Sequence, residues 1–274
     1  MKNLGLNIHT IGHLIHETAL VDPKAQLGKN VQIGPFSVVG PDVVLEEGVV
    51  LESHVFVTGE THIGKHSHVY PFAVLGCDPQ SLRLKNAKGI IIGENTIIRE
   101  HVTIHPGTLE GGGTTRIGNN CFLMVASHVA HDCQIGNGVV LTNNATLGGH
   151  VIVGDYANIG GLSAVHQFVR IGKQAMIGGM SGVESDVIPY GSVMGNRARL
   201  SGLNIIGLKR RGFSRESIHN LRNAYRLLFA PEGTLAERIS DVASLFKDHE
   251  AVMDIISFMQ SDTDRSMCLP KDAI

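Results

Sequence analysis

The sequence predicts an all-β solenoid, a parallel β-helix, followed by an α-helical C-terminal region. Two observations carry this prediction. Aliphatic residues recur at every sixth position over long stretches, a period that does not fit the 3.6 residues of a helical turn. The composition also suits a core of small and aliphatic side chains, since the chain has 33 glycines, 5% aromatic residues and no tryptophan.

The six-residue repeat is longest between Ile117 and Val183, where every sixth residue is Ile, Leu or Val. The same pattern runs from Val21 to Leu75, and a short run from Ile92 to Ile104 lies between them. Residues two positions earlier are mostly small or β-branched, and they share a strand face with the aliphatic residue. Three such units would close a triangular coil of about 18 residues, with coils stacked about 4.8 Å apart.

The repeat changes phase twice and then stops, which divides the chain. We expect the β-helix over residues 1–192, with loops protruding at 76–91 and 105–116, and a helical domain over 193–274. Inserted loops of this kind often carry function. In the C-terminal domain, Ser214 is expected to cap one helix, Thr234 and Glu237 to form a capping box on a second, and 250–260 to form a third.

Charge and cysteine content narrow the function classes. The net charge of −2 gives no indication of nucleic-acid binding. The four cysteines form no CxxC pair, so neither a zinc finger nor a thioredoxin motif is predicted, and free thiols fit a reducing compartment. No apolar run is long enough to span a membrane, and no cleavable leader is evident, so the cytosol is the expected location. No cofactor is predicted.

The histidines between positions 128 and 167 form the candidate site. In an 18-residue coil, Gly149 stacks on His131 and Gln167 stacks on Gly149. In the neighbouring column, His150 stacks on Asp132. Both columns lie outside the inward positions, so we expect them to face away from the core and to bring these groups within about 5–8 Å of one another.

This set of groups suits acyl transfer. An imidazole can remove a proton from a hydroxyl group, a carboxylate can orient the imidazole, and a glycine N–H can stabilise an oxyanion. Two other interpretations of the spacing stay open. Outward histidines can pack at a subunit interface, and His128, His131 and His150 can form a metal site.

Three segments resemble the UDP-N-acetylglucosamine O-acyltransferases of lipid A biosynthesis, which belong to the hexapeptide-repeat transferases. They read LMVASHVAHDCQIGNGVVLTNNATLGGHV (123–151), GGLSAVHQFVRIG (160–172) and GLKRRGFSRESI (207–218). The resemblance implies a left-handed parallel β-helix that forms a homotrimer with active sites between neighbouring prisms. It also implies transfer of an R-3-hydroxyacyl chain from acyl carrier protein to the 3-hydroxyl of UDP-N-acetylglucosamine.

The resemblance also implies roles for individual residues. By motif position, His131 is the general base, Asp132 is its orienting partner and Gly149 is the oxyanion donor. Gly179 matches the residue that sets acyl-chain length, where glycine leaves room for a longer chain. The implied substrate contacts are Gln80, Ser81, Arg83, His128, His150, His166, Gln167, Asn204, Arg210 and Arg211. The basic residues at 209–211 also fit an acidic carrier protein.

Four positions depart from the family pattern. Ser81 and Ile206 stand where an acidic residue is common, Arg83 where lysine is common, and Arg197 where histidine is common. These departures leave room for a variant UDP-sugar acceptor with an amine in place of the 3-hydroxyl. A metal lyase of the γ-carbonic-anhydrase kind and a non-catalytic scaffold are the competing functions for the same fold.

Overall fold

The computed structural model describes residues 14–80, 88–261 and 265–271. Within these ranges, short parallel strands are distributed over three sheets, and each strand of the repeat pairs with the third strand before and after it. The register confirms the 18-residue coil, because His128 lies opposite Thr146 and Thr146 lies opposite Ala164. Three sides of about six residues therefore close each coil, as the repeat predicts.

The strands are named here by sheet. Sheet 1 contains Leu14–Ile15, Gln32–Ile33, Val50–Leu51, His68–Val69, Ile97–Ile98, Phe122–Leu123, Val140–Leu141, Asn158–Ile159, Met176–Ile177, Gly191–Met194 and Arg199–Leu203. Sheet 2 contains Leu20–Val21, Val38–Val39, Phe56–Val57, Val74–Leu75, Thr103–Ile104, His128–Val129, Thr146–Leu147, Ala164–Val165 and Gly182–Val183. Sheet 3 contains Gln26–Leu27, Val44–Leu45, Glu60–Ile63, Gly89–Ile92, Thr114–Ile117, Gln134–Ile135, Ile152–Val153 and Arg170–Ile171.

The core is the interior of the prism that these sheets enclose. From the strand Gln32–Ile33 to the strand Gly182–Val183, the aliphatic residue at the end of each strand is buried, as Leu123, Leu141 and Ile159 show with 0% exposure. Small residues two positions earlier, such as Ala145 and Ala157, are also buried and leave room for the aliphatic side chains of the other sheets. Burial of a Leu or Ile side chain contributes about 1.5–3 kcal/mol, so the repeat itself supplies the stability of the solenoid.

Both insertions leave the prism at the same corner. This corner, at which a sheet 2 strand turns into a sheet 3 strand, is called the 2–3 corner. One insertion follows Leu75 and the other follows Ile104. The second only partly protrudes, because residues 105–108 are buried, whereas Leu109, Glu110 and Gly112 are exposed.

The C-terminal region contains four helices in the described ranges. A hairpin of Gly191–Met194 and Arg199–Leu203 extends sheet 1 before them. The helices are α1 (Ile205–Arg210), α2 (Arg215–Leu228), α3 (Leu235–Leu245) and α4 (Glu250–Gln260). The three predicted helices are confirmed, since Ser214 caps α2, Thr234 and Glu237 form a capping box on α3, and α4 spans the third predicted segment.

The helices pack on the end of the solenoid. Asp254 of α4 accepts a hydrogen bond from Tyr190 and forms an ion pair of 2.7 Å with Lys173, and both partners precede the helices in the chain. Buried residues of α2, including Ile218, Leu221 and Leu228, form the apolar side of the contact. In the described part of the chain, no helix combines the length and apolar character needed to cross a bilayer.

Candidate active site

His131 and Asp132 form a hydrogen-bonded pair on the 2–3 corner. Asp132 Oδ2 lies 2.7 Å from His131 Nδ1. Asp132 has a φ of +63°, a left-handed conformation that turns the chain at the corner. The carboxylate of Asp132 is fully buried, while the side chain of His131 is 20% exposed. The geometry leaves His131 Nε2 as the ring nitrogen available to a ligand.

The second insertion covers Asp132. Oδ1 accepts a hydrogen bond of 2.8 Å from the Thr108 N–H, and Oδ2 accepts one of 2.8 Å from the Thr108 hydroxyl. The repeat predicts an outward position for Asp132. Its carboxylate nevertheless does not reach solvent, because residues from outside the repeat pack over it. The backbone N–H of Asp132 donates to Thr115 Oγ1 at 2.8 Å, which holds the corner from the strand side.

Gly149 lies beneath the His131 ring, as the coil length predicts. A Cβ atom on Gly149 would lie 2.7 Å from Cε1 and 2.8 Å from Nε2 of His131, so a larger residue would displace the ring. Gly149 is buried, and its N–H has no backbone acceptor within the described ranges. A donor without a partner in this position is suited to a developing oxyanion.

His150 lies beside the pair and contributes a second imidazole. Its Nε2 is 3.8 Å from Asp132 Oδ2, and its ring meets that of His131 edge-on at a centroid distance of 5.1 Å. Phe168 stacks on the other side of His150, with centroids 4.5 Å apart and planes 8° apart. Burial lowers the pKa of His150, while nearby Asp132 acts in the opposite direction. His150 therefore lies in the site as a neutral ring near neutral pH.

A further histidine pair lies near His131, with His128 in the same coil and His105 in the coil before it. The rings of His105 and His128 meet edge-on at 4.9 Å, and His128 Nδ1 bonds to Thr103 Oγ1 at 2.7 Å. Burial and then the neighbouring His105 lower the pKa of His128 to about 4. Burial, followed by the charge of His131, also lowers the pKa of His105. Both rings therefore serve as neutral hydrogen-bonding groups near neutral pH.

Sequence reasoning missed His105, Thr108 and Phe168. His105 and Thr108 belong to the insertion, where no periodic pattern gives a residue's neighbours. Phe168 could have been predicted from the sequence, because it lies 18 residues after His150, the spacing at which residues stack. A search of the same columns for aromatic residues would have found it.

Three other implied contacts are exposed. His166 lies at the next turn of the 2–3 corner, where Arg265 Nη2 is 2.8 Å from its Nδ1. Gln167 is exposed beside it, and Gln80 is exposed at the start of the first insertion. Ser81 and Arg83 lie outside the described residues.

Asn204, Arg210 and Arg211 line a separate cleft of about 820 Å³ on the outer face of sheet 1. Asn204 caps α1, because its Oδ1 accepts from the Gly207 N–H at 3.0 Å, and its Nδ2 donates to the Gln174 carbonyl at 2.9 Å. Arg211 lies over the Tyr156 ring at 4.1 Å. Two guanidinium groups at one cleft suit a phosphorylated ligand.

The remaining positions singled out in the sequence lie apart from the pair. Ile206 lines the sheet 1 cleft and is 67% exposed, so the cleft has an apolar group where the family commonly has an acidic one. Gly179 is exposed on the corner between sheets 1 and 2, stacked on Gly161. Arg197 is exposed and forms an ion pair with Glu184.

The geometry also bears on the metal interpretation. In the described ranges, the donor atoms of His131, Asp132 and His150 form the one group close enough to share an ion, all within 4.8 Å of one another. His128 is not part of it, since it bonds to Thr103. The structure therefore does not assemble the three-histidine set. The Asp132 carboxylate already accepts three hydrogen bonds, so an ion would have to displace some of them.

Comparison with known proteins agrees with this arrangement. The family model described as UDP N-acetylglucosamine O-acyltransferase, domain 2, matches residues 186–268, and the bacterial transferase hexapeptide model matches residues 24–59 and 114–149. Proteins of Caulobacter vibrioides and Sinorhizobium fredii, both named acyl-[acyl-carrier-protein]–UDP-N-acetylglucosamine O-acyltransferase, are 55% and 48% identical. The alignments cover 94% and 93% of this chain and 98% and 95% of theirs. The chain belongs to the UDP-N-acetylglucosamine O-acyltransferase family.

A solved structure supports the membership. The Francisella novicida UDP-N-acetylglucosamine acyltransferase superposes with a TM-score of 0.92 at 34% identity, covering 95% of each chain. The protein is therefore an O-acyltransferase, and its fold fits a left-handed β-helix.

Proposed function

We propose that this O-acyltransferase moves an R-3-hydroxyacyl chain from acyl carrier protein to the 3-hydroxyl of UDP-N-acetylglucosamine, the first step of lipid A biosynthesis. The observation that carries the proposal is the His131–Asp132 pair, with Nδ1 held at 2.7 Å and with Gly149 beneath the ring, whose N–H has no backbone acceptor in the described ranges. The names of relatives at 55% and 48% identity support the donor and the acceptor.

The proposed chemistry uses each group once. Asp132 holds the Nδ1–H of His131, so Nε2 accepts the proton of the sugar 3-hydroxyl as its oxygen attacks the thioester carbonyl. The oxyanion of the tetrahedral intermediate accepts a hydrogen bond from the Gly149 N–H. When the intermediate collapses, the C–S bond breaks, and the thiolate of the carrier's pantetheine takes the proton from His131. Neither an oxidant nor a metal ion is needed for this balance.

Neutral imidazoles around the pair suit the binding of a sugar and an acyl chain. His128 and His150 carry little positive charge near neutral pH, because burial lowers the pKa of both. We assign them, with His166 and Gln167 at the rim, to the acyl and sugar contacts that the resemblance implies. Gly179 is assigned to the groove that sets acyl-chain length, since its exposed position leaves open space on the corner.

The His131–Asp132 pair and the sheet 1 cleft lie on opposite sides of one chain, which supports a site shared between copies. In a prism closed by three sheets, the 2–3 corner lies opposite sheet 1. His131 lies on that corner, whereas Asn204 and Arg211 line the cleft on the face of sheet 1. A neighbouring copy can place its sheet 1 cleft against this corner, so we propose a homotrimer of left-handed coils, with residues 1–192 as β-helix and 193–274 as helical domain.

The carrier protein is proposed to dock on α2. Arg215, His219, Arg222 and Arg226 lie three or four residues apart and are all exposed, so they form one basic stripe on the side of the helix that faces away from its buried residues. Such a stripe steers an acidic partner towards the enzyme through long-range attraction.

A transfer assay tests the proposal. Purified protein is supplied with UDP-N-acetylglucosamine and a panel of 3-hydroxyacyl carrier proteins, and the product is identified by mass spectrometry. Wild type should form an O-acylated UDP-sugar, and His131→Ala should reduce kcat by about 1,000-fold or more. His66→Asn is the matched control: His66 is exposed with a φ of +57°, which asparagine tolerates, so activity should be unchanged.

Two outcomes would overturn the proposal. Full turnover by His131→Ala would reject the general base. Equal use of acetyl-CoA would reject the donor. A parallel reaction with a 3-amino UDP-sugar tests the variant acceptor, and stable product in hydroxylamine would then indicate an amide instead of an ester.

A further inference from the structure

Thr108 occupies a position that the chemistry above leaves without a role. It lies in the second insertion, is 1% exposed, and donates to both oxygens of Asp132. Its backbone N–H binds Oδ1 and its hydroxyl binds Oδ2, each at 2.8 Å. The residue therefore holds both carboxylate oxygens, including the one that bonds to His131, without being assigned any contact with substrate.

The hydroxyl of Thr108 is itself oriented. The Gly111 N–H donates to Thr108 Oγ1 at 3.1 Å, and the Gly113 N–H donates to the Thr108 carbonyl at 2.7 Å. Because the hydroxyl has one proton and accepts from Gly111, its proton is directed to Asp132. Gly111 also packs directly against the carboxylate, where a Cβ atom would lie 2.2 Å from Asp132 Cγ.

These contacts determine how Asp132 can meet His131. The carboxylate accepts one hydrogen bond on Oδ1 and two on Oδ2, the second of them from His131 Nδ1. Together these donors fix the plane in which the carboxylate lies. A carboxylate oxygen that accepts a hydrogen bond from Nδ1 requires the tautomer with a proton on that nitrogen, which leaves Nε2 as the base.

We propose that Thr108 is a positioning residue, which fixes the orientation of the Asp132 carboxylate and through it the tautomer of His131. This inference rests on the proposed function for its effect on rate. Loss of the Thr108 hydroxyl should lower kcat by about 10- to 100-fold, because a small displacement of a catalytic group has effects of this size. KM for the UDP-sugar should stay within about twofold, since Thr108 is 1% exposed and is assigned no substrate contact.

The test compares variants that remove the Thr108 hydroxyl, retain it, or displace the carboxylate directly. Thr108→Val removes the hydroxyl, Thr108→Ser retains it, and Gly111→Ala keeps it but pushes on the carboxylate. Thr96→Val is the matched control, because Thr96 is also fully buried and its hydroxyl also donates and accepts one hydrogen bond, but at another corner. Wild type, Thr96→Val and Thr108→Ser should have similar kcat values, and kcat of Thr108→Val and Gly111→Ala should be well below theirs.

A second measurement does not depend on turnover. The proton on His131 Nδ1 should give a low-field NMR line, assigned by its loss in His131→Ala. The line should be unchanged in Thr108→Ser and Thr96→Val, and shifted or broadened in Thr108→Val. If Thr108→Val is poorly folded, Thr108→Ala removes the same hydroxyl with a smaller side chain and provides the same comparison with Thr108→Ser.

The outcomes separate this inference from the proposed function. Wild-type kcat and an unchanged low-field line in Thr108→Val would overturn the positioning role while transfer activity stands. If the wild type transfers no acyl chain, the proposed function fails, and the low-field line still decides whether Thr108 holds the Asp132–His131 pair. Equal losses of kcat in Thr108→Val and Thr96→Val would also overturn it, since they would indicate a general effect on packing.

Discussion

Gly149→Ala adds a single methyl group beneath the proposed base. The new Cβ would lie 2.7 Å from His131 Cε1 and 2.8 Å from Nε2. Carbon atoms in contact are normally about 3.5 Å apart or more, so the ring must move by about 0.8 Å. A displacement of that size in a catalytic group can lower kcat by about 100-fold, which corresponds to about 2.7 kcal/mol of transition-state stabilisation. The N–H of residue 149 is kept, so the loss reports on ring position.

The assay measures kcat at saturating UDP-N-acetylglucosamine and hydroxyacyl carrier protein, together with the free energy of unfolding. Gly40→Ala is the matched control on an earlier turn of the same corner, where the added Cβ meets Thr58 Oγ1 at 3.0 Å. Both variants should lose about 1–3 kcal/mol of stability from overpacking, but only Gly149→Ala should lose activity. A folded Gly149→Ala enzyme with kcat within about twofold of wild type would refute the placement of the base.

Four further predictions follow from the site. Burial lowers the pKa of His128 to about 4 from 6.5, so the unfolded chain binds an extra proton between these values. The free energy of unfolding should therefore fall by about 1–3 kcal/mol as the pH falls through this window. Urea denaturation measures it for wild type and His128→Asn, and the same pH profile in both proteins would contradict the prediction. Arg211→Ala should raise KM for the UDP-sugar about 10-fold or more; an unchanged KM would remove Arg211 from the site. Arg222→Glu should raise KM for the acyl carrier protein at low salt, with a difference that shrinks at high salt; a salt-independent effect would argue against docking on α2. Gly179→Met should shift preference towards shorter acyl donors, and an unchanged chain-length profile would reject its role.

The sequence was sufficient to predict the solenoid because the repeat and the structure have the same period. An aliphatic residue at every sixth position determines which side chain enters the core, and 18 residues determine which residues stack. The closeness of Gly149 to His131 and of His150 to Asp132 follows from that spacing alone, and both contacts are present.

The environment of Asp132 could not be predicted in the same way. The repeat places it on an outward column, but Thr108 and Gly111 cover it, and they belong to an insertion without a period. The direction of the sheet 1 cleft could not be predicted either. Asn204 and Arg211 lie beyond the last coil, where the 18-residue spacing no longer shows which residues stack. Their association with His131 came from resemblance, and the structure separates the two groups within one chain.

Hybrid trimers test most directly whether these separate groups act together. In the proposed trimer, His131 of one copy and the arginines of the sheet 1 cleft of another form one site. His131→Ala and the double variant of Arg210 and Arg211 to alanine should each be nearly inactive alone. When the two variants are co-expressed in equal amounts, about one site in four should combine an intact His131 with intact arginines. About a quarter of wild-type activity should therefore return. Activity no greater than the average of the two parents would contradict the shared site.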